Sequence, residues 1–366
     1  MEKKSSFSIP VFFSVAFVWF TTHFGGGFAS GRQAAEFFVS HGWYSIFTPV
    51  IAMGIDAVIF YYAWDFSVVN DTYDYRSWTD EFYYPYQKLF SNLYEIIFVL
   101  TMGVATAVAF ATGGSTIKSA IGTPYLANTI AIAAIIFLLT IFGAKLVREF
   151  ATYIGIAIII GVIIVYGANA VVSFPKIINV ISAQTADTNI CSALWSMLLY
   201  ASFQALAVGA YVAVADVLKT RDDALKAAWA GFAINGILLT LASVTVLAYY
   251  PGILEIPVPT IYVVNNGVGG VLAENIISIL IVLGVISTGV NFVFGGVKRI
   301  VSWWPNDNTG HSHSIVASLI FVLITWSIAR FGLIPLVAKG YSFLGYLGIP
   351  MLILPVIYKL IKRRFN

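Results

Sequence analysis

The sequence predicts an all-α polytopic membrane protein with ten transmembrane helices in a 5+5 inverted repeat, spans 1 and 6 being discontinuous. Three observations lead there. Of 366 residues, 59% are hydrophobic and only 10% charged, where soluble domains carry about 25% charged residues. Apolar windows of ~20 residues, enough to cross a bilayer, recur ten times. The first is interrupted by G-G-G-F-A-S-G at 25–31. In lipid every backbone N–H and C=O needs a partner, so an unwound stretch survives only inside protein or beside a cavity. Helices broken at mid-membrane are also how many secondary transporters build a site.

The windows fall at 8–39 (broken), 42–66, 88–112, 124–144, 150–172, 190–217, 225–249, 271–300, 314–331 and 340–361. The leading M-E-K-K and its apolar run fit either a signal peptide or an uncleaved first span, and nine further windows favour the span. Ten spans place both termini on one side. With them lie fifteen basic residues, from Lys3 to Arg364, against five on the other side: Arg32, Lys118, Lys176, Arg330 and Lys339. The excess makes both termini cytoplasmic, in a multi-pass protein of the cell (inner) membrane.

Two loops carry information. Residues 70–87 are acidic and aromatic, as in a short helix lying at the inner interface. Residues 249–270 hold an apolar V-P-T-I-Y-V-V core, which fits either a lid folded over an outer vestibule or a re-entrant edge. Trp303 and Trp304 sit where interfacial anchors belong. Spans 1–5 (1–172) and 6–10 (190–361) form the two repeats of one transmembrane domain. T-A-V-A-F-A-T-G-G (106–114) and T-G-V-N-F-V-F-G-G (288–296) align without gaps at five of nine positions. Span 6 has small and polar residues at its middle, Ala201, Ser202 and Gln204, but no glycine cluster.

Other function classes find little support. A net charge of +3, spread along the chain, gives no reason for a nucleic-acid partner. The single Cys191 excludes an internal disulfide and a C-x-x-C site. H-S-H at 311–313 has no thiolate or acid cluster beside it, so no metal beyond a coupling ion and no cofactor is expected. An intramembrane enzyme lacks its motifs, since no H-E-x-x-H or G-x-S-x-G occurs.

The chemistry-bearing residues lie in spans 1, 2, 3, 6 and 8. Ser287 and Thr288 supply hydroxyls suited to Na⁺ or to helix packing. Arg32 and Glu36, spaced i, i+4, form either a local pair or an outer gate whose partner across the vestibule the sequence does not name. Asp56 and Glu95 are intramembrane acids, functional by default. Each is a candidate proton site; Asp56 could instead bridge helices, and Glu95 could snorkel to the inner surface. His23, just before the glycines, could bind substrate, titrate or bond a neighbouring helix.

The stretch G-G-G-F-A-S-G-R-Q-A-A-E, the 5+5 arrangement and Ser287–Thr288 resemble the LeuT-fold transporters of the amino acid–polyamine–organocation superfamily. F-G-G-G-F-A-S-G-R-Q near the start of a short ten-span chain looks most like the YkvI-type amino acid permease family. The resemblance implies a Na⁺ site formed by Thr22 and Gly25 with Gly284, Ser287 and Thr288. Proton-driven relatives commonly place a span 5 lysine there; span 5 here has none, which favours Na⁺ over H⁺. His23 and Phe24 depart from the Asn and Ala usual in sodium-coupled carriers. The backbone around Gly26, Gly27, Phe28 and Ser30 would hold a substrate carboxylate at a half-helix N-terminus. Thr101, Ser202, Phe203, Gln204 and Asn291, placed by depth alone, would form the opposite wall.

The expected function is therefore Na⁺- or H⁺-coupled symport of an amino acid or similar small zwitterion by alternating access, by a monomer or weak homodimer. A sensor that binds without flux is the alternative.

Overall fold

A computed structural model describes residues 10–24, 26–302 and 311–365. Gly25, Trp303 and Trp304 lie outside the described residues, so the roles expected for them are not addressed by it. Every regular element described is helical.

Lipid compels this outcome, because a helix satisfies its own backbone groups. Seven helices are long and apolar enough to cross a membrane: 48–70, 87–121, 125–142, 153–172, 221–247, 270–301 and 333–362. An eighth candidate is a pair, 190–205 and 208–217, bent by 45° at its break. Two shorter apolar helices, 11–23 and 313–329, complete the set.

In chain order, α1 (Val11–His23) is followed by short α2 (Gly26–Ala29) and α3 (Arg32–Phe37). Then come α4 (Thr48–Asn70), α5 (Tyr75–Phe82) and α6 (Gln87–Ile121). Helices α7 (Tyr125–Leu138) and α8 (Ala144–Val172) precede α9 (Phe174–Ser182), which lies between the fifth and sixth apolar windows. Its K-I-I-N-V-I run buries only Ile177, so it is too short for a span and too apolar to leave the surface. The second half holds α10 (Ile190–Ala205), α11 (Val208–Val212), α12 (Arg221–Leu247) and α13 (Pro259–Asn266). After these come α14 (Gly270–Ser302), α15 (His311–Ala329) and the short α16 (Leu333–Pro335), which opens the last span.

That final span begins at Leu333, not 340, because Gly332 (φ +92°) ends the preceding turn and the chain re-enters helix at once. Lys339 therefore sits within that helix rather than in a loop. Its segment α17 (Ser342–Gly348) packs on α10 through glycines. A Cβ on Gly345 would stand 2.6 Å from Leu199 O, and one on Gly348 2.6 Å from Ser202 Oγ. Small residues let membrane helices approach this closely.

The acidic segment before α6 does form a short helix: Asp74 caps α5 by accepting from the N–H groups of Arg76 and Ser77. The 249–270 segment folds back onto the bundle. Its helix α13 buries Pro259, Thr260, Ile261, Val263 and Val264 against α3, α8, α12 and α14.

Candidate functional site: two cavities at a doubly broken helix

The first helix stops at His23 and breaks twice. After α2, Gly31 takes φ +77°, a left-handed geometry that only glycine adopts readily. There is also no room for a side chain, since a Cβ would lie 2.8 Å from Tyr166 Oη. The lid helix α13 satisfies the freed backbone. Thr260 Oγ1 donates to Ala29 O (2.8 Å), and Thr260 N–H donates to Ser30 O (3.0 Å). Tyr166 and Thr260 hydroxyls bond at 2.6 Å. Ser30 is fully buried, and its Oγ accepts from Arg32 N–H.

Arg32 finds its partner in the same lid segment. Nη1 donates to Leu254 O (2.7 Å) and Ile256 O (3.2 Å), while Nη2 donates to Glu36 Oε2 (2.8 Å). The side chain is 1% exposed. Arg32 thus makes the local i, i+4 pair and also bonds to two carbonyls of the 249–270 segment.

The bent α10–α11 pair breaks at Leu206–Ala207, just after the polar cluster seen in the sequence. Tyr94 of α6 supplies what the break loses: its Oη donates to Leu206 O (2.8 Å) and accepts from Gly209 N–H (3.4 Å). Trp64 Nε1 donates to Tyr211 O (3.2 Å).

Between α1, α8 and α14 lies a cavity of about 90 Å³ lined by Thr22, Phe24, Gly155, Gly284, Ser287 and Thr288, among others. Elsewhere in the bundle helical threonines bond back to their own helix: Thr101 to Ile97 O, Thr106 to Met102 O and Thr325 to Phe321 O. Ser287 and Thr288 make no hydrogen bond among the described residues, which leaves hydroxyl oxygens available at a hole. Helix α8 lines it with Ile154, Gly155 and Ile158 and brings no charge.

A second cavity of about 310 Å³ adjoins the first, and Thr22, Thr288, Asn291 and Phe292 line both. Its walls include His23, Thr101, Phe203, Gln204 and Asn291, as expected, together with Gln33, Met102, Tyr211 and Tyr341, which were not. Phe203 stacks on Tyr341 at 4.5 Å with planes 1° apart. No Asp, Glu, Lys or Arg lines this cavity among the described residues. Gln33 stood in the R-Q-A-A-E motif, but nothing in its spacing says which way it turns.

Both ring nitrogens of His23 are engaged. Asn235 Nδ2 donates to Gly231 O, which turns Asn235 Oδ1 toward His23 Nδ1 at 2.7 Å. Nδ1 of the neutral ring is therefore the donor, and Nε2 accepts from Tyr200 Oη at 2.6 Å. This tautomer is assigned from the network. Tyr200 Oη also receives Gln204 Nε2 at 3.4 Å. His23 thus bonds neighbouring helices and presents only its ring to the cavity.

Ser202, Phe28 and Phe24, expected at the substrate site, do not line the larger cavity. Ser202 Oγ donates to Gly345 O (2.7 Å) and pins α10 to α17; it lines neither cavity. Phe28 packs on Phe24 and His23 and lines neither cavity. Phe24 lines the smaller cavity only. Gly26 and Gly27 lie in α2. Glu95 Oε1 sits 3.9 Å from Arg299 Nε, whose guanidinium covers the Tyr75 ring at 4.0 Å. Glu95 is thus paired near the end of the bundle capped by α5. Asp56 is fully buried, and no bond from another helix reaches it among the described residues.

No family model matches the chain, and no curated protein matches it. Solved structures do resemble it in fold. A mutant form of the Eremococcus coleocola manganese transporter superposes with TM-score 0.62 at 14% identity, covering 97% of this chain and 80% of that one. A Na⁺-coupled sialic acid symporter, in a substrate-bound outward-open state, gives 0.64 at 13% identity, with 94% and 77% covered. The nucleobase-cation-symport-1 family transporter Mhp1, closed with bromovinylhydantoin bound, gives 0.51 at 16%, with 93% and 77% covered. The chain is a multi-pass membrane protein with the LeuT-type fold of these transporters.

Proposed function

We propose that the protein is a secondary active transporter, a Na⁺-coupled symporter of an amino acid or similarly small zwitterion that works by alternating access. The observation that carries this reading is the adjacency of the two cavities. Unbonded hydroxyls of Ser287 and Thr288, with Thr22 opposite, offer hard oxygen ligands beside a helix break. Residues of that small cavity are also walls of the larger one. An ion drawing α1 and α14 together would therefore shape the substrate space, which is what coupling requires.

The larger cavity supports the substrate class. At about 310 Å³ it lies at the low end of small-molecule pockets, ~300–1,000 Å³. Its uncharged, aromatic and amide-rich lining fits a solute of zero net charge. The substrate carboxylate would reach the half-helix N-terminus at Gly26 and Gly27; Phe28 to Gly31 of the break do not line this cavity. Among the described residues no three His, Cys, Asp or Glu side chains gather to hold a metal, so the manganese of the Eremococcus coleocola protein is not carried over.

The ten-span topology is part of the proposal. It counts the bent pair and both short apolar helices as spans, with repeats 1–172 and 190–361. The aligned glycines support it: Gly113 and Gly114 close on Ile132 and Thr129 of α7, and Gly296 closes on Phe321 of α15. One equivalent pair, Gly114 and Gly296, thus meets the following span in each half, while Gly295, equivalent to Gly113, reaches only Met102 of α6. In the orientation given by the basic residues, both termini are cytoplasmic and the lid end is external. Arg32 and α13 then shut the outer side, while the cavity extends inward toward Phe98, Ala210 and Gly295. This is an inward-facing arrangement of a monomer or weak homodimer in the cell membrane.

The test is uptake of radiolabelled amino acids into proteoliposomes under an imposed Na⁺ gradient. Accumulation is expected with Na⁺ outside and not with K⁺, and it is expected to fall at least tenfold when Ser287→Ala and Thr288→Ala are combined. Uptake indifferent to Na⁺ and to both substitutions would refute the sodium reading. Tight binding without flux would identify a sensor instead.

A further inference from the structure

Asp56 has no place in the sodium reading, yet it is a carboxyl buried without a partner among the described residues. It sits in the third turn of α4, fully buried, and both carboxylate oxygens lack a hydrogen-bond donor among the described residues. A bare carboxylate there would have neither water nor a counter-charge. Three forms could relieve this: a pairing cation, a helix-bridging bond, or a proton on the carboxyl itself. The first two lack a partner. On its own helix the next acid is Asp65, which pairs with Arg221 at 3.2 Å near the far end. From α10 and α11 the titratable groups within reach of its charge are Tyr200 and Tyr211. Helix α12 has no titratable residue beyond Lys226, and its Asn235 is already engaged by His23. His23 of α1 is closed on both nitrogens. No Lys or Arg faces this position from any of these helices.

We propose that Asp56 is a proton-binding site of the transport cycle, neutral while the outer lid is shut. The proposal rests on the transporter reading above but not on which ion occupies the small cavity. Two features connect the site to the moving parts. Tyr211 lines the substrate cavity, and Tyr200 holds both His23 at the first break and Gln204 before the second. The two tyrosines within reach of Asp56 therefore belong to the cavity, Tyr211 as a wall and Tyr200 as the brace of His23 and Gln204. A movement of the α10–α11 break that withdraws them admits water. The carboxyl O–H bond then breaks, its electron pair stays on the carboxylate, and the proton passes to a water molecule. The reverse step reloads the site before the aromatics close again. Substrate movement and proton movement are linked because Tyr211, a wall of the cavity, and Tyr200, which holds two further wall residues, both lie within reach of the same carboxyl.

Wild type, Asp56→Asn and Asp56→Glu are compared as full-length protein in liposomes. Infrared difference spectra of wild type minus Asp56→Asn at neutral pH are expected to show the carbonyl stretch of a protonated carboxylic acid, shifted in deuterated water. A carboxylate pair of bands instead would overturn the proposal, and if Asp56→Asn does not fold, the Asp56→Glu spectrum serves the comparison. The functional arm uses a mixture of radiolabelled L-amino acids. Wild type is expected to accumulate label several-fold more under an inward proton gradient. Asp56→Asn is expected to lose that response while still exchanging internal for external label. An Asp56→Asn protein that exchanges and still responds fully to the gradient would also overturn the proposal. Absence of exchange in wild type would count against the transporter reading, and the infrared result would still decide the proton.

Discussion

Arg32 is the side chain through which the lid reading can be broken most cleanly. Its guanidinium donates to Leu254 O and Ile256 O, two carbonyls of the 249–270 segment, and to Glu36 on its own helix. Only the first two bonds cross between elements, so only they bear on whether the lid stays shut. A hydrogen bond from a charged group contributes about 1.5–3 kcal/mol net. Taking the lower value for each gives about 3 kcal/mol, or roughly a hundredfold in the open-to-shut ratio at about 1.4 kcal/mol per tenfold. Water entering the space left by Arg32→Ala would rehydrate the carbonyls and reduce this, so roughly ten- to a hundredfold is expected. Thr260 still holds the lid to Ala29 and Ser30, so the fold persists. The assay is the rate at which a membrane-impermeant maleimide reaches Val263→Cys, a lid position with no exposure, in a Cys191→Ser background. Arg32→Lys is expected to fall between the two, because an ammonium can keep one carbonyl but not the fork. Labelling rates within about twofold of one another in all three proteins would refute the clamp.

Tyr94→Phe removes the donor that satisfies Leu206 O at the second break. It should cost about 1–3 kcal/mol, read as a lower thermal midpoint in detergent, while Tyr86→Phe, at an exposed site, should cost nothing measurable. Gly31→Ala combines a left-handed φ with a Cβ 2.8 Å from Tyr166 Oη, so a loss of at least about 1–2 kcal/mol is expected by the same measurement. Asp74 caps α5, and the Ser77 hydroxyl and N–H hold its carboxyl below the ordinary range. With its folded value depressed, its contribution is present above about pH 4 and is lost as pH falls through that lower value. Hydrogen exchange of the first turn of α5 should accelerate on acidification in wild type and should already be fast at neutral pH in Asp74→Ala.

What the sequence revealed and what it withheld divide along a physical line. Glycine runs, paired hydroxyls and an apolar loop core are properties of residues, and they pointed to the first break, to Ser287 and Thr288 beside it, and to a 249–270 segment folded back onto the bundle. A break in span 6 was expected, but its position and partner were hidden: Leu206–Ala207 is ordinary apolar sequence, and Tyr94, which satisfies it, lies 112 positions away. Arg32's partners were hidden for a related reason, being backbone carbonyls that any residue could present. Ser202 was placed at the right depth but on the wrong face, because a residue or two of rotation moves a side chain from cavity to helix contact. Tyr341 escaped notice because the span it belongs to begins earlier than its hydropathy suggests.

The central claim is that a cation bound between α1 and α14 organises the substrate cavity. The most direct test is equilibrium binding of radiolabelled Na⁺ to the purified protein, wild type beside the Ser287→Ala, Thr288→Ala double variant. Saturable binding in wild type, lost in the variant, is the predicted result. Binding that is absent from wild type, or unchanged by removing both hydroxyls, would contradict the account.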